Sequence, residues 1–536
     1  MRLNALLAFV CVVLVLPVAA LGLAWLAPDP QAWANLRHQF ETVLPSYAWT
    51  SVLLAGWVAL GVGVLGAALA AAVSLFDFPA RRFFEWALLL PLAMPAYVLA
   101  YAYTDALQYG GPLQSALRAA SGAQGPLWPD VRSLWGAVLL FVLCLYPYVY
   151  LLARAALAER GVALMEAARL LGAGTARRVW RVALPLARPA VVAGVALALM
   201  ETLADYGVGS YFGLTTFTTG IYKAWLSFGD RIAAAQLATL LLVVVAALLW
   251  TEQHARAHVR FASSRLALAG HSEARPQALK GWQAALAVTL CALPIVLGFL
   301  LPVLVLLRLS WTEDTQGSFG LPWDRFLGWS WTSFKLATVA AAAATVLAVA
   351  LGFATRTGAG PGLRLASRAV ALGYAVPGAV IAVGLLLPLG WAQDHWPQTG
   401  AAAWMTGTAG GLVYAYLVRF SAVAMHSVES GYARVPSNLD ETARMLGSTR
   451  AGLLGRVHLP LLKRSALAAA LLVFVDVMKE LPATLVLRPF NSDTLAVVAY
   501  QLAKDERLAE AALPSLAIVV VGLIPVMLVS RAIQRG

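Results

Sequence analysis

MEAARLLGAGTARRVWRVALPLARP, residues 165–189, and DETARMLGSTRAGLLGRVHLPLLKR, residues 440–464, are one passage written twice. Glu166 aligns with Glu441, Gly172 with Gly447, Leu184 with Leu459 and Pro185 with Pro460, all at a single offset of 275 residues (441 minus 166) and without a gap. Each copy reads as a short helix, a glycine suited to a left-handed C-terminal turn, and a second amphipathic helix ended by Leu-Pro. Gly174 and Thr449 stand where that second helix needs its N-cap. Both copies hold several arginines in a chain that is only 12% charged, so each belongs in water beside a membrane, on the side where positive loops collect. One such hairpin alone would read as an amphipathic helix lying on lipid. Two gapless copies read as the same grip offered twice to a partner.

The rest of the composition agrees with a membrane setting. Of 536 residues, 61% are hydrophobic, far more than a soluble globular chain carries, which points to an all-α polytopic protein. The formal net charge of +13 does not indicate nucleic acid, because the arginines lie in short segments between apolar runs and follow the positive-inside rule. Cys11, Cys144 and Cys291 each sit inside an apolar run with no CxxC or Cys/His companion; they read as packing residues. The N-terminal MRLNALLAFVCVVLVLPVAALGLAWLAP runs on past signal-peptide length without a convincing cleavage site, so it is expected to be a retained first span.

Apolar runs near the bilayer-crossing length of about 20 residues fall at about 4–26, 51–75, 84–107, 134–153, 188–207 and 232–250. A basic segment with His254, Arg256, Arg260, Arg265, Arg275 and Lys280 follows. Six further runs fall at about 284–307, 332–354, 367–390, 409–428, 464–481 and 512–530. The expected organisation is a first repeat over 1–253, a basic cytoplasmic linker over 254–281 and a second repeat over 282–536, with about twelve spans in all. With the N-terminus inside, roughly two-thirds of the Lys and Arg residues fall on the cytoplasmic side. Both hairpins then face the cytoplasm, and the repeat is parallel rather than inverted. Pro91, Pro95 and Pro377 lie inside the third and ninth spans, where they are expected to kink or break helices.

The spans after each hairpin carry acids. Glu201 and Asp205 in METLADYG match Asp476 and Glu480 in VDVMKELP at the same offset of 275, with the acid types exchanged. The i, i+4 spacing is expected to put both carboxylates of a pair on one helix face. Counted from Arg188 at about 1.5 Å per residue, Glu201 lies about 20 Å and Asp205 about 26 Å along the helix, in the outer half of the membrane. Burying an acid near the bilayer centre costs on the order of 2.5–3.5 kcal/mol, so a polar path suits these residues better than lipid. The other reading is local: pairing with cations such as Lys479, or solvated helix ends. Arg419, in YAYLVRFSAV, is a lone cation in the tenth span and is either a structural tie or part of the path.

The hairpin passages resemble the E-A-A…G…L-P coupling motif of bacterial ABC importer permeases, in which Glu166, Ala167, Ala168, Gly172, Leu184 and Pro185, and again Glu441, Ala443, Gly447, Leu459 and Pro460, occupy the motif positions. Thr442 departs from the favoured alanine and Gly455 stands opposite Trp180, so the second copy is expected to grip less tightly. Two further stretches, ADYGVGSYFGLTTFTTGIYKAW (204–225) and MKELPATLVLRPFNSDTLAVVAYQLAKDE (478–506), resemble the outer-side signatures of fused permeases of ferric-iron ABC importers. The resemblance spans nearly the whole chain. It implies a type I importer permease of two six-helix repeats in the bacterial inner membrane. It implies as partners a periplasmic iron-binding protein and two copies of a separate cytoplasmic ATPase that binds ATP and Mg²⁺, with Fe³⁺ as substrate and no cofactor in this chain. Fe³⁺ is a hard cation suited to oxygen ligands, and Glu201, Asp205, Asp476 and Glu480, with Tyr206 as a phenolic neighbour, are the expected transient path.

The sequence contains no GxxxxGK[ST] loop, no HExxH, no GxSxG and no Rossmann glycine cluster, so the chain alone is not expected to be an enzyme. Two alternatives stay open. A fused permease of the same architecture for thiamine would need aromatic faces along the path, and one for an aminophosphonate would need cations in place of the acids. An ion-coupled secondary carrier would use the acids as a relay and work without an ATPase.

Overall fold

The computed structural model describes residues 2–26, 30–266, 276–316, 323–436 and 438–535. Arg275 and most of the linker's second half lie outside them. Among the described residues the regular structure is helical, apart from a two-residue parallel pairing of Phe76–Asp77 with Gln277–Ala278. Eight helices among the described residues are long and apolar enough to cross a bilayer. The other expected spans take different shapes for local reasons. The first is the apolar stretch Asn4–Ala20, which passes into a 3-10 turn at Leu21–Trp25. The third is bent by 90° between Arg81–Ala93 and Ala96–Ser121. The ninth is divided into Pro361–Ala371, a short 3-10 turn and Gly378–His395. The eleventh, Leu459–Met478, carries Lys463, Arg464 and Asp476, which lowers its hydropathy.

The expected proline breaks are present in matching form. Met94 (φ −95°, ψ 111°) and Val376 (φ −71°, ψ 119°) are both extended, and Pro95 and Pro377 follow with ψ of 142° and 141° as helix N-caps. The proline ring excludes the helical conformation from the residue before it, so each helix must stop there and restart.

Two compact units divide the chain. One comprises Met1–Arg37, Ile221–Leu242 and Pro322–Val498; the other comprises His38–Gly220, Val243–Leu321 and Ala499–Gly536. Within the first unit, the helix Arg2–Ala20 packs on Pro361–Ala371 and Gly378–His395. A Cβ at Gly384 would lie 2.1 Å from the Pro17 carbonyl oxygen, so only glycine permits that approach. Pro17 has no N–H to offer the Val13 carbonyl, and the Tyr414 hydroxyl donates to that carbonyl instead, meeting the need of a backbone group that has no water to turn to. Within the second unit, Leu301–Gln316 packs on Leu508–Arg535 and on Ala96–Leu107. Each unit therefore contains the first span of the other sequence half, and the repeat boundaries near 254 and 281 do not coincide with the compact units.

The hairpins form with two corrections. Gly172 (φ +79°) and Gly447 (φ +77°) take the left-handed conformation. Each closes a Schellman turn: Gly172 N donates to Arg169 O and Ala173 N to Ala168 O, at 2.9 and 3.0 Å, and Gly447 N to Arg444 O and Ser448 N to Ala443 O, at 3.0 and 2.9 Å. Thr449 caps the second helix, accepting from Gly452 N at 3.2 Å. The first correction concerns the leading helix. In the second copy it is the short Asn438–Met445, preceded by Pro436, whereas in the first copy it is the end of one continuous helix, Leu134–Leu170, with no proline at the matching place. The second correction is that Leu-Pro ends neither helix. A π turn at Val179–Ala183 precedes Leu184–Pro185, with Leu184 N donating to Val179 O, and one at Leu453–His458 precedes Leu459–Pro460, with Leu459 N donating to Leu454 O. The wider turn accommodates the proline, so the helix runs on into the membrane.

The two hairpins are anchored differently. In the second, buried Asp440 accepts from His458 Nε2 at 2.8 Å and from Arg356 Nε at 2.6 Å. Arg356 also donates to the carbonyls of Tyr432, Val435 and Pro436. The first copy has Met165 and Ala183 at the matching places; there Arg178 donates to Gln277 Oε1 at 2.8 Å and to Thr175 Oγ1 at 3.0 Å. Burial pushes the Asp440 carboxyl up, but the Arg356 and His458 hydrogen bonds outweigh it and hold the group below its ordinary value of 3.8. Its stabilising contribution is therefore complete above that value and lost as pH falls through the lowered one. Asp440→Ala leaves two buried cationic or polar partners unmet and should cost about 3–5 kcal/mol locally. Hydrogen exchange should accelerate over 438–458 and stay unchanged over the first hairpin. In the unaltered chain, protection of 438–458 should hold from neutral pH down to the ordinary carboxylate range and fail only below it.

Candidate functional site

Asp205 and Glu480 do not lie on the helices of Glu201 and Asp476, contrary to the expectation of one shared face. The first helix ends at Ala204, and Asp205 is extended (φ −70°, ψ 133°); the second ends at Met478. The chain turns there because each acid serves the next element. Asp205 Oδ1 accepts from Val208 N at 2.8 Å, at the start of the short helix Gly207–Tyr211. Glu480 accepts from Ala483 N and Thr484 N, each at 2.9 Å, at the start of Pro482–Leu487, and also from the Thr484 hydroxyl. A carboxylate that satisfies exposed N–H groups at a helix start is a capping arrangement strengthened by the helix dipole.

The surroundings of the matched acids differ. Glu480 is buried and paired with Arg419, Nη1 to Oε1 at 3.2 Å, so Arg419 is a tie between its span and the break in the eleventh. A Cβ on Gly378 would come within 2.7 Å of Glu480 Oε1 and 3.0 Å of Arg419 Nη1: the backbone at the Pro377 break lies directly against the ion pair. Asp476 pairs with Lys479 at 3.0 Å. Asp205 is half-buried, and its carboxylate is held by backbone N–H groups, those of Val208 and Gly209. Glu201 lies half-buried in the last turn of its helix. Glu201 and Asp205 belong to one compact unit and Asp476 and Glu480 to the other. Among the described residues, no three His, Cys, Asp or Glu side chains gather closely enough to hold a metal ion.

Of the tyrosines around Asp205, the sequence reading named Tyr206 and passed over Tyr97, Tyr101, Tyr211 and Tyr500. Tyr206 lies with its ring 5.8 Å from that of Tyr500, and Tyr101 lies 5.9 Å from Tyr97 and 4.9 Å from Tyr211. The Tyr500 hydroxyl is 2.7 Å from Ser210 Oγ. At the edge of the group, Arg132 donates both Nη atoms to Glu506, at 2.7 and 2.8 Å, and Nη2 to the Tyr211 hydroxyl at 3.2 Å. The hydrogen bond from Arg132 holds the Glu506 carboxyl below the usual range. Tyr101 is only 1% exposed, and its hydroxyl has no hydrogen-bond partner among the described residues. An unmet buried hydroxyl costs about 1–3 kcal/mol. The three tyrosines in AYVLAYAYTDA were the available signal, but tyrosine is common in membrane spans.

At the glycine turns of the hairpins and the helix leading into each, the matched motif positions have the same exposure. Glu166, Ala167 and Gly172 are exposed with Ala168 half-buried, as are Glu441, Thr442 and Gly447 with Ala443 half-buried. Each turn carries two nearly bare apolar side chains, Leu170 and Leu171 at 85% and 87% in one and Met445 and Leu446 at 88% and 83% in the other. Leu184 and Pro185 are half-buried, whereas Leu459 and Pro460 are exposed.

The chain is similar in sequence to known proteins. A family model described as binding-protein-dependent transport system inner membrane component matches residues 63–254 and again residues 348–536. The Fe(3+)-transport system permease protein FbpB 2 of Haemophilus influenzae is 24% identical over 489 residues, covering 90% of this chain and 88% of its own length. The sulfate transport system permease protein CysT of Salmonella typhimurium is 27% identical over 262 residues, 47% of this chain and 90% of its own. A putative 2-aminoethylphosphonate transport system permease protein, PhnU of Salmonella paratyphi A, is 25% identical over 213 residues, 38% of this chain and 74% of its own. With its paired hairpins, its apolar spans and two matches to one model, the chain belongs to the family of binding-protein-dependent transport system inner membrane components, as a multi-pass member carrying the family's domain twice.

Proposed function

We propose that the chain is the fused permease of an ABC importer that carries ferric iron from a periplasmic binding protein into the cytoplasm, driven by two copies of a separate ATPase. The observation that carries the reading is layout: the Fe(3+)-transport permease aligns with nine-tenths of this chain, whereas the sulfate and aminophosphonate permeases align with less than half of it. The acids add chemical support, because carboxylates suit a hard cation and repel sulfate or phosphonate. Arg419, the cation that an anionic substrate would seek in the tenth span, is already engaged by Glu480.

In this reading the ATPases hold ATP and Mg²⁺, and this chain supplies the grips. Burying Leu170, Leu171, Met445 and Leu446 in ATPase clefts contributes about 1.5–3 kcal/mol for each side chain. Closure of the ATPases on ATP draws the two hairpins together and opens the path toward the binding protein; hydrolysis resets it. The rigid left-handed turns at Gly172 and Gly447 transmit the movement.

Leu171→Asp combined with Leu446→Asp should weaken ATPase association at least a hundredfold in a pull-down titration, with the chain's membrane insertion unchanged. Gly172→Val and Gly447→Val each force a β-branched residue to positive φ, at about 1–2 kcal/mol, and should leave ATP hydrolysis running without uptake; intact coupling would reject the hairpins as grips. The substrate is tested in proteoliposomes containing the chain, the ATPase and the binding protein. Radiolabelled Fe³⁺ should accumulate only with ATP, and sulfate and 2-aminoethylphosphonate should not. Glu201→Gln with Asp476→Asn should lower iron uptake severalfold while the ATPase stays bound. Uptake without the ATPase would point instead to a secondary carrier.

A further inference from the structure

Five tyrosines in this chain share one use. Tyr103 donates its hydroxyl to Leu297 O, Tyr146 to Leu88 O and Tyr150 to Glu85 O, all at 2.9 Å. Tyr222 and Tyr414 donate to the carbonyls of Pro482 and Val13. In each case a phenol donates to a backbone oxygen where no water is at hand. Tyr101 departs from this pattern: it is as deeply buried as any of them, yet its hydroxyl meets no acceptor or donor among the described residues. Around it lie Tyr97 and Tyr211, with Tyr206 and Tyr500 adjoining, and Asp205 is the chain neighbour of Tyr206.

The second sequence half has no such arrangement at the matching acid. There Glu480 is neutralised by Arg419, and the Tyr416 hydroxyl is 2.7 Å from Thr484 Oγ1. The acid of the first half has backbone partners and a phenol with nothing to bind. The two halves therefore differ at the matched acid: one is closed by its own ion pair, and the other is set among phenols.

We propose that Tyr101, Tyr500 and Asp205, on the first half's side of the pseudo-repeat, form a hard-cation site that holds Fe³⁺ during its passage; this rests on the ferric-iron reading above. Two phenolates and one carboxylate carry three negative charges against the three positive charges of the ion. Each Tyr–OH loses its proton to water as its Fe–O bond forms, so two protons are released and no electron is transferred. Asp205 is half-buried, whereas Tyr101 and Tyr500 are buried. Entry to the deeper phenols then accompanies the opening of the unit during the transport cycle.

The test is optical and uses the full chain in lipid nanodiscs, titrated with Fe³⁺ as its nitrilotriacetate. Iron bound to phenolate absorbs in the visible through charge transfer, and Ga³⁺ gives no such band. The unaltered chain should develop the band, and Tyr101→Phe or Tyr500→Phe should lose most of it, with at least a tenfold fall in affinity. Asp205→Asn should weaken it similarly. Tyr146→Phe, whose phenol is committed to the Leu88 carbonyl, should keep it. Because the Tyr101 hydroxyl makes no internal hydrogen bond, Tyr101→Phe should leave Tm unchanged or raise it, separating loss of a ligand from loss of the fold. An undiminished band in the Tyr101→Phe, Tyr500→Phe double variant overturns the site, as does absence of a band in the unaltered chain. Uptake in complete proteoliposomes distinguishes the two levels of failure. Normal ATP-driven iron uptake without the band removes this site alone; no iron uptake by the unaltered chain removes the ferric-iron reading as well.

Discussion

A helix inside a bilayer has no water to satisfy a backbone group that its own turns leave open. Several irregular points among the described residues are organised by that constraint. Where Pro17 deprives Val13 of its donor, Tyr414 supplies one. Where Pro185 and Pro460 would interrupt a helix, a π turn just before each rearranges the hydrogen bonding so that the helix continues. Where the fifth and eleventh spans stop, Asp205 and Glu480 take up the N–H groups of the helices that follow. Asp205 and Glu480 thus have a structural duty at the helix breaks.

The repeat is close to symmetric in backbone and unequal in side chains. The Schellman turns, the π turns and the proline breaks occur in both halves with nearly the same dihedral angles. The chemistry attached to them has diverged. One hairpin is locked by the Asp440, His458 and Arg356 cluster, while the other is held by Arg178 and the strand pair at Gln277–Ala278. One membrane acid is sealed by Arg419, while the other is surrounded by phenols. Fusion into one polypeptide permits this divergence, since each half is always assembled with the other and never with a copy of itself.

Much of this was legible in the sequence, where the cause is local. The glycines at 172 and 447 declare their turns because positive φ belongs to the residue itself. Pro95 and Pro377 announce their breaks for the same kind of reason. The charges at 201, 205, 476 and 480 stand out against apolar runs. What escaped depends on partners distant in the chain or on the state of a neighbouring turn. Leu-Pro looked like a stop because the π turn that rescues it has no composition signal. The i, i+4 spacing of the acids suggested one face, but the helix ends before the second acid, which is drawn off to cap the next. Arg356 and Asp440 lie 84 residues apart, and the tyrosines near Asp205 are unremarkable as residue types until their rings are seen side by side.

The interleaving of the chain between the compact units bears on how the protein is made. One unit draws on residues as early as Met1–Arg37 and as late as Val498, and the other needs the helix Leu508–Arg535 to cover Leu301–Gln316. A nascent chain therefore inserts span after span while neither bundle is finished, and its first helix waits in lipid for neighbours that leave the ribosome hundreds of residues later. Neither bundle can be complete before Val498 has been made.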